Sequence, residues 1–76
     1  MITMAELVRA AHLAPSVGPF TIRRLLFRSG IFSSDNFDPD DVRRALPIID
    51  AELRDILQPA ELESARRELN ALAGVR

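Results

Sequence analysis

Phe37-Asp38-Pro39-Asp40-Asp41-Val42 opens the stretch whose reading decides the fold. Asp38 is a helix-capping residue type, Pro39 suits the first helical position, and Asp41 supplies an acid three places after the cap. Phe37 and Val42 bracket this start as a hydrophobic staple. The same grammar recurs in Ile2-Thr3-Met4-Ala5-Glu6-Leu7 and in Leu57-Gln58-Pro59-Ala60-Glu61-Leu62. Three such starts within 76 residues predict an all-α chain.

Downstream of Pro39 the apolar residues Val42, Leu46, Ile49, Leu53 and Ile56 recur in alternating steps of four and three. That rhythm belongs to a helix packed closely along another helix, and it predicts a helix over 39–57. Pro47 falls inside. It removes the hydrogen bond to the Arg43 carbonyl, a loss of about 3 kcal/mol in an unbroken helix. Because the stripe keeps phase, a kink near Pro47 or two abutting pieces is expected.

The next helix is predicted over 59–73, with Leu62, Ala65, Leu69 and Leu72 on its stripe and Gly74 ending it. So short a link at Gln58 allows either an antiparallel hairpin or a steep crossing. Upstream, Met4, Leu7, Val8 and Ala11 fall on one stripe, giving a first helix over 4–13 that Pro15 forces to end. The second helix, 19–29, has the least marked start: Gly18 as cap, Pro19 at the first position, and Val17 facing Ile22. Gly30 suits the left-handed residue beyond its end, with Ile31 folding back as the apolar contact. Ser33, Ser34, Asp35 and Asn36 are turn formers in the connector to Phe37. The expectation is one compact four-helix domain over residues 1–76, without repeats or linkers.

A chain this short buries only about 60% of its unfolded surface, so it folds alone with little margin. Small domains usually add disulfides, a metal or a partner. Cysteine is absent and there is one histidine, which removes disulfides and argues against a structural zinc site. Self-association or a partner chain remains. The net charge of −1 argues against a generally nucleic-acid-coated or membrane-bound protein. All ten cations are arginines, so no amine exists for Schiff-base chemistry and no thiol for covalent catalysis. No stretch approaches the ~20 apolar residues of a membrane span, and no basic segment leads into an apolar run at the N-terminus. A cytoplasmic location is expected.

The second helix carries the least ordinary face. At about 100° per residue, Ile22, Leu25, Leu26 and Ser29 share one side, the natural core side. The opposite side holds Phe20, Arg23, Arg24, Phe27 and Arg28. Aromatics and arginine together, without lysine or acids, are the composition of an interface centre. The alternative is a central helix buried on both sides, with arginine stems over the rings and the heads snorkelling out. Ile48, off the main stripe and beside Pro47, is a further candidate contact. The same three arginines support a nucleic-acid reading, in which the first two helices loosely imitate a helix-turn-helix and the chain acts as a dimer. Three arginines fall short of the roughly six to ten phosphate contacts of a typical binder, and eleven carboxylates oppose them.

Asp35, Asp38, Asp40 and Asp41 form an acidic cluster, but without the mid-loop glycine and distant glutamate of a calcium loop. Capping and the helix dipole account for the last three. His12 suits the C-terminus of the first helix. Glu63 with Arg67, and Asp50 with Arg54, read as solvated pairs four residues apart. No serine or threonine has an evident base beside it, so no catalytic residue, cofactor or metal is expected. The function expected is a small non-enzymatic interaction module: an adaptor, assembly factor or inhibitor. It would dock a protein partner through the Phe20/Arg23/Arg24/Phe27/Arg28 face with Ile48, or pair as a homodimer through any uncovered seam of the last two helices. A small dimeric DNA-binding regulator is the rival.

Overall fold

The computed structural model describes residues 1–32 and 36–75. In chain order its elements are β1 (Ile2–Thr3), α1 (Met4–Ala10), α2 (Gly18–Arg28), β2 (Asn36–Phe37), α3 (Pro39–Ile56) and α4 (Pro59–Leu72). All four expected helices are present, in a compact all-α arrangement.

The helix starts use the foreseen residues, though not always through the foreseen atoms. At α1 the capping box is complete. The Glu6 N–H donates to the Thr3 hydroxyl at 3.2 Å, and the Thr3 N–H donates to the Glu6 carboxylate at 3.0 Å. The Thr3 backbone and side-chain bonds together hold Glu6 below the usual carboxylate range. At α3 and α4, Asp38 and Gln58 occupy the cap position in extended backbone, but neither side chain makes a capping bond. There the apolar brackets carry the start: Phe37 and Val42 are fully buried, and Leu57 and Leu62 pack half-buried against the core.

Five expected boundaries move, three of them only because α2, α3 and α4 each end one residue early, at Arg28, Ile56 and Leu72. First, α2 begins one residue early, with Val17 rather than Gly18 at the cap, and Val17 is exposed instead of stapled to Ile22. Gly18 makes a close approach: a Cβ there would lie 2.5 Å from Cγ1 of Val8, so the start of α2 is pressed directly onto α1. Second, α1 stops at Ala10 instead of Leu13. His12 adopts a left-handed backbone with φ 58°, its N–H bonds the Arg9 carbonyl, and the Leu13 N–H bonds the Val8 carbonyl, both at 3.1 Å. This is a Schellman ending without glycine. His12 therefore lies beyond the last turn, and its Nε2 sits 2.8 Å from a carboxylate oxygen of Glu68 on α4. The ends of α2 and α4 use Gly30 (φ 82°) and Gly74 (φ 73°) in the same motif, with Ile31 bonding back to Leu26 and Val75 to Asn70.

The helix α3 runs through Pro47 as one element. Pro47 and Arg43, whose carbonyl loses its donor, both lie on the exposed side of the helix. Ala45 and Ile49 remain fully buried on either side of the proline, so the core face keeps its phase. The stripe ends sooner than its periodicity suggests, because Ile56 is exposed and Leu53 is its last fully buried member.

The connector before α3 holds the one departure from a purely helical plan. Instead of turning freely, Asn36 and Phe37 pair antiparallel with Ile2 and Thr3, in the register Ile2↔Phe37 and Thr3↔Asn36. The outer residues of two staples thus become cross-strand partners, and both are buried. This pairing straps the starts of α1 and α3 together. The expected turn formers Ser33, Ser34 and Asp35 lie outside the described residues.

In the packing, α1 lies against α2 and α4, and α3 against α2 and α4. One contiguous core results, with Leu7, Ile22, Leu25, Leu26, Phe37 and Leu53 among its sealed side chains. The α3–α4 link makes an antiparallel hairpin. Asp50 receives a two-pronged bond from Arg66, and the Arg43 guanidinium donates to the Ala73 carbonyl at 2.9 Å, so partners descend on one helix as they ascend on the other.

Candidate functional site

The inner side of α2 is sealed: Ile22, Leu25 and Leu26 have essentially no exposure. Its outer side is open. Phe20 is 73% exposed and Phe27 is 64% exposed, so the alternative of a helix buried on both sides is overturned. Arg23, Arg24 and Arg28 are exposed beside them. Phe20 and Phe27 stand two turns apart, about 10 Å along the axis, with Arg23 and Arg24 between them.

Across from this row lies α3. The Arg24 guanidinium donates to the Glu52 carboxylate at 2.8 Å. Arg28 shares a cleft of about 310 Å³ with Pro47, Ile48, Ala51, Glu52 and Asp55. The α3 residues of this cleft lie on both sides of Glu52 along the helix, from Pro47 to Asp55. The structure therefore brings Ile48, half-buried, onto the same surface as the α2 face. Farther along α3, Ile56 is 49% exposed.

Two members of this surface escaped the sequence reading. Phe32 is 71% exposed, and its ring meets that of Phe27 edge-on with centroids 4.9 Å apart. Edge-to-face contact at that distance is a favourable aromatic geometry. The Schellman turn explains it: Gly30 reverses the chain, Ile31 plugs into the core, and the next side chain returns over the last turn of α2. The signal was Phe32 standing directly after a glycine-and-plug ending. Ile56 was missed because its helical spacing assigned it to the core stripe. Of the four phenylalanines, only Phe37 is internal.

The electrostatics divide the chain. From Leu7 to Ser34 there are four arginines and no carboxylate; apart from Glu6, every acid lies from Asp35 onward. On α3 and α4 the arginines are largely engaged. Arg43 pairs with Asp40 and Arg44 with Asp41, at 2.8 and 2.7 Å. Asp50 takes Arg66 and, at 3.2 Å, Arg54. The Arg66 bonds dominate and hold Asp50 below the usual aspartate range, while Asp50 in turn raises Arg66. The expected Glu63–Arg67 pair does not form among the described residues. Nor do Arg23 and Arg28 make an ion pair among them.

Other features offer less chemistry. Asp40 and Asp41 of the acidic cluster face arginines, Asp38 caps α3 by backbone alone, and Asp35 lies outside the described residues. Among the described residues, no group of three or more His, Asp or Glu is placed to share a metal. A second hollow of about 400 Å³, between the end of α1 and the start of α2, is lined by Ala5, Val8, Leu13, Pro15 and Pro19 with Arg9 as its one ionisable group. No described helix is long and apolar enough to cross a membrane. Comparison with protein-family models, with curated proteins and with solved structures finds no significant match.

Proposed function

We propose that this chain is a non-enzymatic protein-interaction module, an adaptor, assembly factor or inhibitor of the cytoplasm, that docks a protein partner on the joint α2–α3 surface. The observation that carries the reading is the outward placement of Phe20, Phe27 and Phe32. A covered phenylalanine removes about 150–250 Å² from water. Three such rings approach the several hundred Å² at which an exposed apolar patch marks a docking site. The core seals without them, which supports a role for these rings outside folding.

Phe27→Ala and Phe20→Ala test the reading. Immobilised wild-type chain should retain a partner that both variants lose, while all three unfold at nearly the same temperature. Were either variant to unfold the chain, the rings would belong to the fold and the reading would fail. Mass by light scattering over a hundredfold dilution reads the homodimer form of the same idea, and loss of the dimer in Phe27→Ala would place its contact on α2.

The DNA-binding reading draws on Arg23 and Arg28, but Arg24 is already held by Glu52 and α1 is a short helix of seven residues. A duplex titration at low salt decides it. Steep loss of binding with salt, with a shallower slope in Arg23→Ala and Arg28→Ala, would turn the assignment toward nucleic acid.

A further inference from the structure

Resting on the docking reading above, we infer the chemistry of the partner: an acidic amphipathic helix, with an apolar row laid across Phe20, Phe27 and the Phe32 ring and carboxylates on its flanks meeting Arg23 and Arg28. Three observations lead there. The first is charge. The α2 side of the surface belongs to the stretch from Leu7 to Ser34, which holds no acids, and Arg23 and Arg28 have no carboxylate partner among the described residues. Glu52 is used on Arg24, and Asp55 alone of the other cleft residues is acidic. A partner supplying carboxylates completes these arginines, and one supplying lysines does not.

The second observation is shape. The aromatic row on α2 is spaced at two turns, and α3 packs beside it with the cleft shared by Arg28 and Ile48 between. A helix presenting side chains at i, i+3 or i+4, and i+7 matches that spacing and settles into such a groove. An added strand is the poorer fit, because the described strands are two residues long and already paired with each other.

The third observation concerns the obvious rival, a second copy of this chain. A two-fold interface sets the same patch against itself. If the α2 helices run parallel, the unpaired Arg23 meets Arg23. If they run antiparallel with Phe20 against Phe27, the axis falls between Arg23 and Arg24, so the two unpaired Arg23 side chains converge near the centre beside two Arg24–Glu52 pairs. Both arrangements place like charges where an interface is driest, which disfavours them.

The probe is a synthetic amphipathic helix of leucine and glutamate, capped at both ends and titrated against the whole chain by fluorescence anisotropy. Controls are the same peptide with lysine for glutamate, a scrambled glutamate peptide without an apolar row, a short DNA duplex and vesicles containing phosphatidylserine. The glutamate helix should bind about tenfold or more tighter than the lysine and scrambled peptides, a difference set by charge and by the apolar row in turn. Phe27→Ala should weaken it about tenfold, and Arg23→Glu or Arg28→Glu about threefold or more, with melting temperatures unchanged.

Equal binding of the lysine peptide, equal binding of the scramble, or no binding of the glutamate helix overturns the inference. Capture of the duplex or the vesicles in its place does the same. A dimer that dissociates in Phe27→Ala also overturns it, yet leaves α2–α3 as a protein-docking surface. If instead Phe20→Ala and Phe27→Ala alter neither peptide binding nor self-association, both the inference and the docking reading fall.

Discussion

Phe37 sits wholly buried at the β1–β2 pairing, whereas Phe20, Phe27 and Phe32 stand open along α2 and the turn after it. The arginines divide largely in the same way, the exceptions being Arg24, which Glu52 holds, and Arg67, which makes no ion pair among the described residues. Arg43, Arg44, Arg54 and Arg66 are tied to carboxylates of α3, and Arg43 also reaches the α4 terminus, while Arg23 and Arg28 make no ion pair among the described residues. Identical residue types thus serve internal cohesion on one side and remain unspent on the other. The contrast teaches that exposure on α2 is not a shortage of core, since Ile22, Leu25 and Leu26 already fill the inner side of that helix.

The largest expected effect is at the buried member of the comparison. Phe37→Ala empties a fully enclosed site and weakens the staple to Val42 and the pairing to Ile2. A buried phenylalanine truncated to alanine costs about 3–5 kcal/mol. In a domain of this size that approaches the whole stability, so the variant should be largely unfolded by circular dichroism at room temperature. If it melts like the wild type, the strap between the starts of α1 and α3 is ornamental and the contrast dissolves.

Next in size is Gly18→Ala, which probes how tightly α2 is held onto α1. The added carbon would meet Cγ1 of Val8 at 2.5 Å and Cβ of Leu13 at 3.1 Å, so one helix must give way. Overpacking of this kind costs about 1–3 kcal/mol, offset in part by alanine's better helix propensity. Thermal denaturation reads the result, and a stabilised variant would show that the approach is looser than the geometry indicates.

These two positions also mark what the sequence disclosed and what it withheld. The helices were legible because their starts are written locally: Thr3 and Glu6 cap within four residues, and Gly30 and Gly74 announce their own turns. The α2 face was legible by helical periodicity. What stayed hidden depends on partners distant in the chain. Ile2 and Phe37 read as separate staples, and only the fold shows them paired. Gly18 read as a cap, although its role is to admit Val8. His12 read as a helix-end cation, yet it takes the left-handed position usually given to glycine and pairs with Glu68 on α4. Ile56 followed the stripe, but periodicity does not say where the neighbouring helix stops covering it.

Smaller still is the effect expected at Asp50, on the side where charges are engaged. Asp50→Asn keeps an acceptor for Arg66 but removes the charge, a loss of about 1 kcal/mol for a partly exposed pair. The carboxyl is held lower in the folded chain than in the unfolded one, first by the Arg66 bonds. Its contribution is therefore complete above the unfolded value of about pH 4 and disappears as pH falls through the lower folded value. The Thr3 bonds lower Glu6 as well, so both chains lose stability in acid. The gap between wild type and Asp50→Asn should nevertheless begin to narrow below about pH 4 and close once pH falls beneath the lowered folded value. A gap that stays constant down to low pH would mean that packing, not charge, sets the difference.

The smallest stability effect belongs to the exposed rings, and there the comparison is most open to failure. Phe27→Ala removes a side chain that is 64% exposed and whose one aromatic partner, Phe32, is itself open to water. An edge-to-face pair contributes about 0.5–1.5 kcal/mol when well covered, and solvent on both rings places this one at or below the lower limit. Phe20→Ala lacks even that aromatic contact. Both variants should melt within about 0.5 kcal/mol of the wild type, as surface substitutions do. A double substitution of Phe27 and Phe32 sharpens the point, because its cost should equal the sum of the single costs less the one edge contact. Substantially larger coupling would mean that the two rings form a small satellite core of their own, and the α2 face would then have to be read as structure.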